Sequence, residues 1–403
     1  MRIAQVNVTC GAGSTGKICT AIGERLTEQG DESYIFHVQN QPNTDKHISC
    51  ATHRYIRTQV VRSRLLGNYG FNGRAATKRL IAHLERIRPD IVHMHNLHGH
   101  NAHLELLFRY LKEKNIKVVW TFHDCWAFTG YCPHFIMAKC DKWKTGCERC
   151  PQYRYFSFLF DRSRELYRKK KELFTGLDMI VATPSQWLAE LVKQSFLKDY
   201  PVTVINNGID LSVFHPRESD FRGKYGVSPD KHILLGVAFG WGVRKGLDVF
   251  LRLSETLDPA KYQIVLVGTN DTVDKQLPAN IISIHRTQDQ AELAEIYSAA
   301  DLLLNPTRED NYPTVNMESL ACGTPVLTFQ TGGSPEMLDE TCGVAVPGDN
   351  EEAFRAEILR ICEQRPFRRE SCVQKAREFD QNQKFKEYIE LYERVNASRN
   401  QGD

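Results

Sequence analysis

The stretch 305–326 reads NPTREDNYPTVNMESLACGTPV. It starts at the end of an apolar run, 301–305, passes through an acidic loop, and leads into a second apolar run at 325–329. Pro313 lies where the first turn of a helix tolerates a residue without an N–H group. This order of strand, loop, helix and strand predicts a parallel sheet covered by helices.

Two acidic residues of this stretch are candidates for ligand binding. Asp310 is predicted in the loop before the helix, and Glu318 about two turns along the same helix. One carboxylate could then accept hydrogen bonds from sugar hydroxyls and the other from a ribose diol, while the helix N-terminus faces a diphosphate. Acidic residues near helix starts are also common caps, so from the residues alone both interpretations stay open.

Strand and helix patterns alternate along the rest of the chain. Before residue 207, strands are predicted at 3–8, 33–38, 90–95, 117–122, 178–183 and 202–206, and helices at 17–29, 75–88, 104–114 and 162–175. After residue 216, strands are predicted at 232–239, 263–267, 281–285, 301–305, 325–329 and 343–346, with helices at 246–257, 291–299, 313–321 and on to the C-terminus. We expect an α/β fold of two doubly wound, Rossmann-like domains facing a central cleft.

The domain boundaries follow from where this alternation is interrupted. We predict an N-terminal domain over 1–206 with a cysteine-rich insert at about 125–155, and a linker over 207–216, where Gly and Pro break the pattern. A C-terminal domain would cover 217–380. A last helix over 381–403 would pack back on the N-terminal domain. Two domains are also the default for 403 residues.

Charge is divided unevenly between the halves. Up to residue 205 the chain has 30 Lys and Arg against 18 Asp and Glu, and after it 22 against 31. A basic N-terminal half favours an anionic partner, although solvated helix faces explain the same charges. No apolar run approaches the roughly 18 residues of a membrane span, and 3–8 is more typical of a strand than of an export signal. We therefore expect a cytoplasmic protein.

A glycine-rich loop follows the first strand, at 11–18. It is not a P-loop, because Ile18 replaces the Ser or Thr that would hold magnesium. It is not a dinucleotide loop, because Asp31 and Glu32 precede the second strand and its end, near 39–40, has no acidic residue. Backbone N–H groups of a tight turn at a helix start still suit a substrate. The candidate substrate-binding residues here are Gly13, Ser14, Thr15 and Gly16.

The stretch 305–326 resembles the acidic signature of retaining family 4 glycosyltransferases, which have the GT-B fold. Glu318 matches the second glutamate of that signature, and the following Ala-Cys-Gly-Thr-Pro-Val is also typical. At the first acidic position, eight residues earlier, this chain has Asp310, with Glu309 beside it. The resemblance implies a retaining hexosyl transfer from a nucleotide sugar, UDP- or GDP-linked, without a catalytic metal. It also implies that the domain over 1–206 binds the acceptor and that the domain over 217–380 binds the nucleotide sugar.

Further residues take roles implied by the same resemblance. Arg244 and Lys245, after the first strand of the second half, match the cations that the family places on the donor diphosphate. His123, in Thr-Phe-His-Asp, matches a histidine near the reacting carbon. Because Pro313 has no N–H, the backbone donors that face the donor would come from Thr314 and Val315. In this mechanism fixed positive groups stabilise the departing diphosphate.

Two clusters raise the question of metals. The histidine run from His93 to His103 places His93 and His95 on one face of a strand, but no carboxylate or cysteine lies beside them at ligand spacing, which argues against zinc there. In the insert, four cysteines with a terminal C-x-x-C favour a structural zinc site, with disulfides or free thiols as the alternative. Those cysteines are Cys132, Cys140, Cys147 and Cys150.

The acceptor is less defined by the sequence. Family members with this insert resemble enzymes of bacterial polysaccharide assembly, which implies a lipid-diphosphate-linked glycan and peripheral contact with an anionic inner membrane face. A soluble acceptor is the alternative within the class, and a Rossmann enzyme that modifies nucleotide sugars is the alternative outside it. Nucleic acid is not expected, because the aromatics at 155–160 precede the basic run 168–171 rather than interleave with it.

Overall fold

The structure, a computed structural model, describes residues 1–38 and 44–397. The predicted end of the second strand at 39–40 and the last six residues of the predicted C-terminal helix lie outside this part. The chain forms two compact units. Unit 1 comprises Met1–Asn206 and the C-terminal stretch from Lys384, and unit 2 comprises Asn207–Gln383.

Unit 1 contains a seven-stranded parallel sheet in the order β3-β2-β1-β4-β5-β6-β7. Its strands are β1 (Arg2–Val6), β2 (Glu32–His37), β3 (His47–Ser49), β4 (Ile91–Met94), β5 (Lys117–Thr121), β6 (Met179–Thr183) and β7 (Val202–Val204). Its helices are α1 (Gly13–Glu28), α2 (His53–Leu66), α3 (Arg74–Ile87), α4 (Leu104–Glu113), α5 (Ser163–Phe174) and α6 (Gln186–Lys193).

Unit 2 contains a six-stranded parallel sheet in the order β10-β9-β8-β11-β12-β13. Its strands are β8 (His232–Val237), β9 (Tyr262–Val267), β10 (Ile281–Ile284), β11 (Leu302–Asn305), β12 (Val326–Phe329) and β13 (Gly343–Val346). Its helices are α7 (Phe221–Tyr225), α8 (Leu247–Thr256), α9 (Asp271–Asp274), α10 (Gln290–Ala299), α11 (Thr314–Ala321), α12 (Glu351–Gln364) and α13 (Arg369–Ala376). The last helix, α14 (Gln381–Ala397), begins in unit 2 and continues into unit 1.

Both sheets are buried on both faces, as their apolar strands require. Along β1, Ile3 packs in the cluster that includes α1 and α14, whereas Ala4 and Val6 pack on the opposite face. Along β8, Leu234 and Leu235 divide between two clusters in the same way. Successive side chains of a strand point to opposite faces, so a helix layer on each face is needed to cover them. The predicted pair of doubly wound, Rossmann-like α/β domains is confirmed.

Several elements differ from the predicted ones. Helix α1 begins at Gly13, four residues before the predicted start, so half of the glycine loop is the first helical turn. Helices α2 and α6 and the short strand β3 were not predicted. In α2 the fully buried side chains are Ile56 and Ser63, so the apolar stripe that would indicate a helix is nearly missing from its sequence.

Candidate active site

Lys245 and Asp310 meet at the switch point of the unit 2 sheet. The strand order reverses between neighbouring β8 and β11, and loops that leave such a point diverge and form a crevice. Lys245 closes the short 3-10 turn after β8, and Asp310 lies in the loop after β11. Their side chains form an ion pair and are 19% and 20% exposed, respectively. The structure therefore brings two of the predicted site residues into contact.

Arginines hold the acidic loop in place. The Arg244 guanidinium donates through Nη1 to the carbonyl oxygen of Glu309 at 3.0 Å, and the backbone N–H of Arg308 donates to the Arg244 carbonyl at 2.9 Å. Glu309 is 4% exposed, which leaves Asp310 as the more accessible of the two neighbouring carboxylates. Arg244 thus contacts the backbone of this loop, and its role on a diphosphate stays a prediction.

Helix α11 directs its N-terminus toward the same loop. It begins at Thr314, and the residue before it, Pro313, is extended. The first N–H groups of a helix have no acceptor within the helix and carry part of its positive dipole. Thr314 and Val315, which supply these groups, are half-buried. The arrangement suits the binding of an anion next to Lys245.

Glu318 lies in the second turn of α11. The hydroxyl of Tyr297 donates to its Oε2 at 2.9 Å. Burial raises the pKa of Tyr297 well above its usual value, with the Glu318 charge acting in the same direction, so this hydroxyl stays protonated and remains a donor. The hydrogen bond fixes the direction of the predicted donor-binding carboxylate.

A second glycine turn, at 332–333 after β12, completes the loop and was missed by the sequence analysis. The N–H of Gly333 donates to the carbonyl of Asn311 at 2.8 Å. Gly332 has φ +57°, and a Cβ atom there would lie 1.7 Å from the Asp310 carbonyl oxygen. Only glycine allows so close an approach. The pair of glycines directly after a buried strand was the signal that could have indicated it.

In unit 1 the glycine loop lies at the corresponding switch point, between β1 and β4. Asn7, fully buried at the end of β1, donates to the Thr9 carbonyl (2.9 Å) and to Thr15 Oγ1 (3.3 Å) and accepts from the N–H of Asn96 (3.2 Å). One amide therefore ties the glycine loop to the segment after β4. Gly13 and Ser14 are exposed, Thr15 is half-buried, and Gly16 is buried. A Cβ at Gly16 would lie 2.7 Å from Thr9 Oγ1.

His93, His95 and His123 form a row of neighbouring rings at the carboxyl ends of β4 and β5. His93 is wholly buried, with Nδ1 2.6 Å from the Tyr392 hydroxyl and Nε2 2.8 Å from Thr121 Oγ1. His95 Nδ1 lies 3.1 Å from His123 Nε2, and the two rings are stacked. Both nitrogens of His93 are engaged by hydroxyls, so this histidine is part of the core.

Burial sets the protonation of these rings. It lowers the pKa of His93 to about 3 and that of His123 to about 4, in the latter case against the opposing charge of Asp124. The predicted site residue His123 is half-buried and is therefore neutral near pH 7. It can accept or donate a hydrogen bond there, but it brings no positive charge.

His98 and Asp124 form a pair beside His123 that the sequence analysis did not identify. His98 Nε2 lies 2.9 Å from Asp124 Oδ2, and the N–H of Trp126 donates to Oδ1 at 2.8 Å. Burial acts to raise the pKa of Asp124, but the His98 charge and these hydrogen bonds outweigh it and lower the pKa to about 2. The Asp124 carboxylate is thus ionised next to His123, the predicted site residue.

The four cysteines of the insert line one small cavity. Cys132 and Cys147 are buried, and Cys140 and Cys150 are half-buried. Their sulfur atoms do not lie close enough together to share a metal ion. Among the described residues, the group of three potential metal ligands whose atoms all lie within 4.8 Å of one another is Asp271, Asp274 and His285 in unit 2. The zinc site therefore stays a prediction.

Two protein families match this chain. Residues 15–213 match the family described as Glycosyltransferase Family 4, and residues 231–364 match Glycosyl transferases group 1. The matches include the glycine loop from Thr15 onward, the His93–Asp124 region and the whole Lys245–Asp310–α11 arrangement. The chain belongs to glycosyltransferase family 4. This family 4 enzyme is accordingly a glycosyltransferase that uses a nucleotide sugar, from a retaining family that needs no metal for transfer.

Curated relatives of this family 4 glycosyltransferase act in several settings. A putative colanic acid biosynthesis glycosyl transferase, WcaC of Escherichia coli K12, is 26% identical over 375 residues, which cover 86% of this chain and 87% of WcaC. A D-inositol 3-phosphate glycosyltransferase of Nocardiopsis dassonvillei is 28% identical over 214 residues, 48% of this chain and 50% of that enzyme. The first similarity extends over nearly the whole length, and the second over about half.

Solved structures agree with a fold of the GT-B type. A sucrose-phosphate synthase from Thermosynechococcus elongatus has a TM-score of 0.75 at 18% identity, over 98% of this chain and 99% of that one. WaaG, a glycosyltransferase of lipopolysaccharide biosynthesis, has a TM-score of 0.66 at 16% identity, over 96% and 99%. Anabaena HepE in complex with UDP-glucose has a TM-score of 0.65 at 14% identity, over 98% and 99%.

Among the described residues, none of the helices combines the length with the apolar composition that crossing a bilayer requires.

Proposed function

We propose that this enzyme transfers a hexose from a UDP- or GDP-linked sugar to a lipid-diphosphate-linked glycan in bacterial polysaccharide biosynthesis, with retention at the anomeric carbon. The observation that carries the proposal is the convergence of Lys245, Asp310 and the start of α11 at one switch point. WcaC and WaaG, whose names place them in colanic acid and lipopolysaccharide biosynthesis, support the pathway class. HepE, solved with UDP-glucose, supports a uridine donor.

The donor half of the proposal follows from electrostatics. When the bond between the anomeric carbon and the diphosphate breaks, its electron pair leaves on a phosphate oxygen. Lys245 and the N–H groups of Thr314 and Val315 stabilise that negative charge, because they already lie at one site before the bond breaks. In the absence of donor, Lys245 is neutralised by Asp310. An arriving diphosphate shares the lysine and releases Asp310 to accept hydrogen bonds from the sugar.

The acceptor half follows from the neutral histidine in unit 1. The acceptor hydroxyl attacks the anomeric carbon on the face from which the diphosphate leaves, and its proton passes to the departing phosphate oxygen. His123, neutral at pH 7, orients the hydroxyl groups near this carbon by hydrogen bonds. Ser14 and Thr15, at the exposed start of α1, bind the phosphate or polar part of the acceptor.

An exposed hydrophobic surface on unit 1 supports a lipid-linked acceptor. It comprises Val61, Leu65, Leu66, Tyr155, Phe158, Leu159 and Phe160, all at least 39% exposed. The end of α2 and the 155–160 segment are joined by a hydrogen bond from the Phe158 N–H to the Arg64 carbonyl at 2.8 Å. The Arg64 and Arg162 guanidiniums lie over the rings of Phe158 and Phe160, at 5.5 and 5.9 Å.

Apolar and aromatic side chains mixed with arginines are the composition of a surface that rests in the headgroup layer of an anionic membrane. Exposed hydrophobic patches of this kind mark contact sites on soluble domains. We propose that the exposed hydrophobic surface docks on the leaflet that holds the lipid-linked acceptor.

The donor half is tested by thermal unfolding with UDP-glucose, GDP-mannose, UDP, GDP and NAD. A ligand that binds the folded state at 100 times its dissociation constant stabilises by about 2.7 kcal/mol, so a melting shift with one nucleotide sugar is expected. Lys245→Met should abolish that shift, whereas Lys261→Met, an exposed lysine of unit 2, should keep it. Stabilisation by NAD alone would contradict the proposal.

The acceptor half is tested by sedimentation with vesicles of phosphatidylcholine, with and without phosphatidylglycerol. We expect binding to the anionic vesicles and its loss in Phe158→Glu/Leu159→Glu, while Phe239→Glu, which changes a still more exposed aromatic residue of unit 2, keeps it. Equal absence of binding to both vesicle types would overturn the lipid-linked acceptor. It would favour a soluble one, as the name D-inositol 3-phosphate glycosyltransferase suggests, and the donor half would stand.

A further inference from the structure

The cysteine-rich insert contains almost no regular secondary structure that could hold it in place. Between β5 and α5, regular elements are limited to three short 3-10 turns, at 126–128, 142–144 and 153–155. Segments of this length without helices or strands are uncommon in compact domains and need another source of stability. The insert nevertheless buries Trp126, Tyr131 and Trp143 almost completely.

Four cysteines of the insert line the same cavity. Cys132, Cys140, Cys147 and Cys150 line a single cavity of about 10 Å³, about the volume that one water-sized sphere occupies. The thiols of Cys132 and Cys150 are hydrogen-bonded to each other. Cys125, at the start of the insert, does not line this cavity.

A buried lysine lies beside the cluster. The side chain of Lys170 is inaccessible to solvent, and its Nζ donates to the carbonyl oxygens of Trp126 (2.7 Å) and Thr129 (3.1 Å). Nζ also lies 3.5 Å from the centre of the Trp126 ring. In the described part of the chain, no carboxylate comes within 4.0 Å of this ammonium. Burial lowers the pKa of Lys170 to about 7, so this side chain is held fully charged at neutral pH only by a compensating negative charge nearby.

One peptide group connects this lysine to the sulfurs. The carbonyl of Thr129 accepts from Lys170 Nζ, and the N–H of the same peptide, on Gly130, donates to Cys147 Sγ at 3.2 Å. The peptide dipole therefore has its negative end on a cation and its positive end on a sulfur. Hydrogen bonds in such a chain polarise one another. Burial raises the pKa of the Cys147 thiol to about 11, and the Gly130 N–H and the Lys170 charge act against this increase. The same two groups would stabilise the sulfur once a metal ion has displaced its proton.

We propose that Cys132, Cys140, Cys147 and Cys150 bind one Zn²⁺ as a tetrathiolate and that the Lys170 ammonium is its counter-cation. Binding releases the four thiol protons to solvent and leaves a centre of charge −2, which Lys170 partly neutralises. The ligands of such a centre lie about 2.3 Å from the metal, so thiol side chains rotate inward when it binds. The proposal does not rest on the proposed function.

The consequence of such a centre is mechanical. The insert leads directly into the 155–160 segment, which contributes most of the exposed hydrophobic surface. Tyr131 belongs to the insert, and its hydroxyl donates a hydrogen bond of 2.8 Å to the carbonyl oxygen of Gly67 at the end of α2. A zinc ion would therefore fix the support beneath both parts of that surface.

Metal analysis of the full chain, purified under reducing conditions, is the first test. We expect about one zinc per chain. A mercurial reagent added in an amount equal to the thiols should release this zinc, and a chromogenic chelator measures the release. Less than half a zinc per chain, or thiols that react without releasing zinc, would overturn the proposal. Both measurements use the unmodified protein and do not depend on a variant that folds.

Variants locate the site and test the counter-cation. Cys147→Ser should lose the zinc, whereas Cys362→Ser, which removes a buried thiol of unit 2, should keep it. Lys170→Met should weaken the affinity for zinc, measured by competition with a chelator, about tenfold or more. An effect of this size is expected for groups that support metal ligands. Lys171→Met, its exposed neighbour, should not. Equal zinc affinity in all four proteins would contradict both parts of the proposal.

Discussion

At the residue scale, the histidines of unit 1 divide by what their ring nitrogens contact. His93 is closed off by two hydroxyl groups, whereas His123 stacks on His95 and stays half-buried near the ionised Asp124. The spacing of the histidines in the sequence could not separate these roles. The hydroxyl of Tyr392, which satisfies His93, comes from a helix 299 residues away in the chain.

Buried neutral histidines predict a loss of stability in acid. Burial lowers the pKa of His93 from 6.5 in an exposed state to about 3, so below pH 6.5 the unfolded chain binds a proton that the folded chain does not. The folded state loses stability as pH falls, by about 2 kcal/mol from His93 alone at pH 5. Thermal unfolding at pH 7.5 and pH 5.0 measures this effect.

The matched variants for this prediction are His93→Gln and His53→Gln, the latter exposed at the start of α2. His93→Gln is expected to be less stable at pH 7.5 but to lose less on acidification than the wild type. His53→Gln should follow the wild type. If His93→Gln lost as much stability on acidification as the wild type, the His93 ring would not be the source of the acid sensitivity.

At the element scale, the unit 2 site depends on loops whose backbones lie so close together that a Cβ atom at the contact would clash. The turn at 332–333 contacts the acidic loop through Gly332, and Gly246, after Lys245, has φ +75° with Pro306 next to it. Helix α11 could be predicted from its start and its apolar pattern. The contacts between the three loops could not, because they are made by backbone atoms, which leave no pattern of side chains in the sequence.

Gly332→Ala tests this close approach. The added Cβ would lie 1.7 Å from the Asp310 carbonyl, at a φ of +57° that disfavours side chains, so the acidic loop has to move. We expect a cost of about 1–3 kcal/mol in unfolding free energy, together with a higher KM for the donor sugar. Chemical denaturation and initial-rate kinetics provide the two measurements.

The control is Gly348→Ala, because a Cβ there would meet no atom closer than 3.9 Å. It should change neither stability nor KM. If Gly332→Ala were as active and stable as this control, the turn at 332–333 would have no part in shaping the site.

At the scale of the whole molecule, the two units do not follow the order of the chain. Helix α14 lies at the C-terminal end of the sequence but packs in the core of unit 1, where Phe385, Tyr388, Ile389 and Tyr392 are buried. The Lys117 ammonium also donates to the Val395 carbonyl. The N-terminal unit is therefore incomplete until the last helix has been made.

Truncation after Gln383 tests this dependence. The deletion removes a set of buried apolar side chains, each of which contributes about 1.5–3 kcal/mol, so unit 1 should unfold while unit 2 remains. Limited proteolysis with mass spectrometry should then find a resistant fragment over 207–383 and rapid cleavage within 1–206.

Tyr392→Phe provides a graded control, since it removes only the hydroxyl that contacts His93, at a cost of about 1 kcal/mol. It should leave unit 1 resistant to the protease. Equal resistance of unit 1 in the truncated protein would show that α14 is dispensable for its fold.

The sequence by itself determined the class of the fold and the family. Buried strands, helix periods and the acidic stretch 305–326 are local patterns, and each is complete within about 20 residues. The predicted strands of both sheets agree with the observed ones to within a few residues, because parallel strands buried on both faces are almost continuous apolar runs.

Only the tertiary structure decided which polar groups meet. The Lys245–Asp310 pair, the Tyr297–Glu318 hydrogen bond and the His98–Asp124 pair join residues 21 to 65 positions apart. The peptide between Lys170 and Cys147 is another example. Such contacts depend on strand order and on the directions of loops at the switch points, which are set by packing of the whole sheet rather than by any short stretch of the chain.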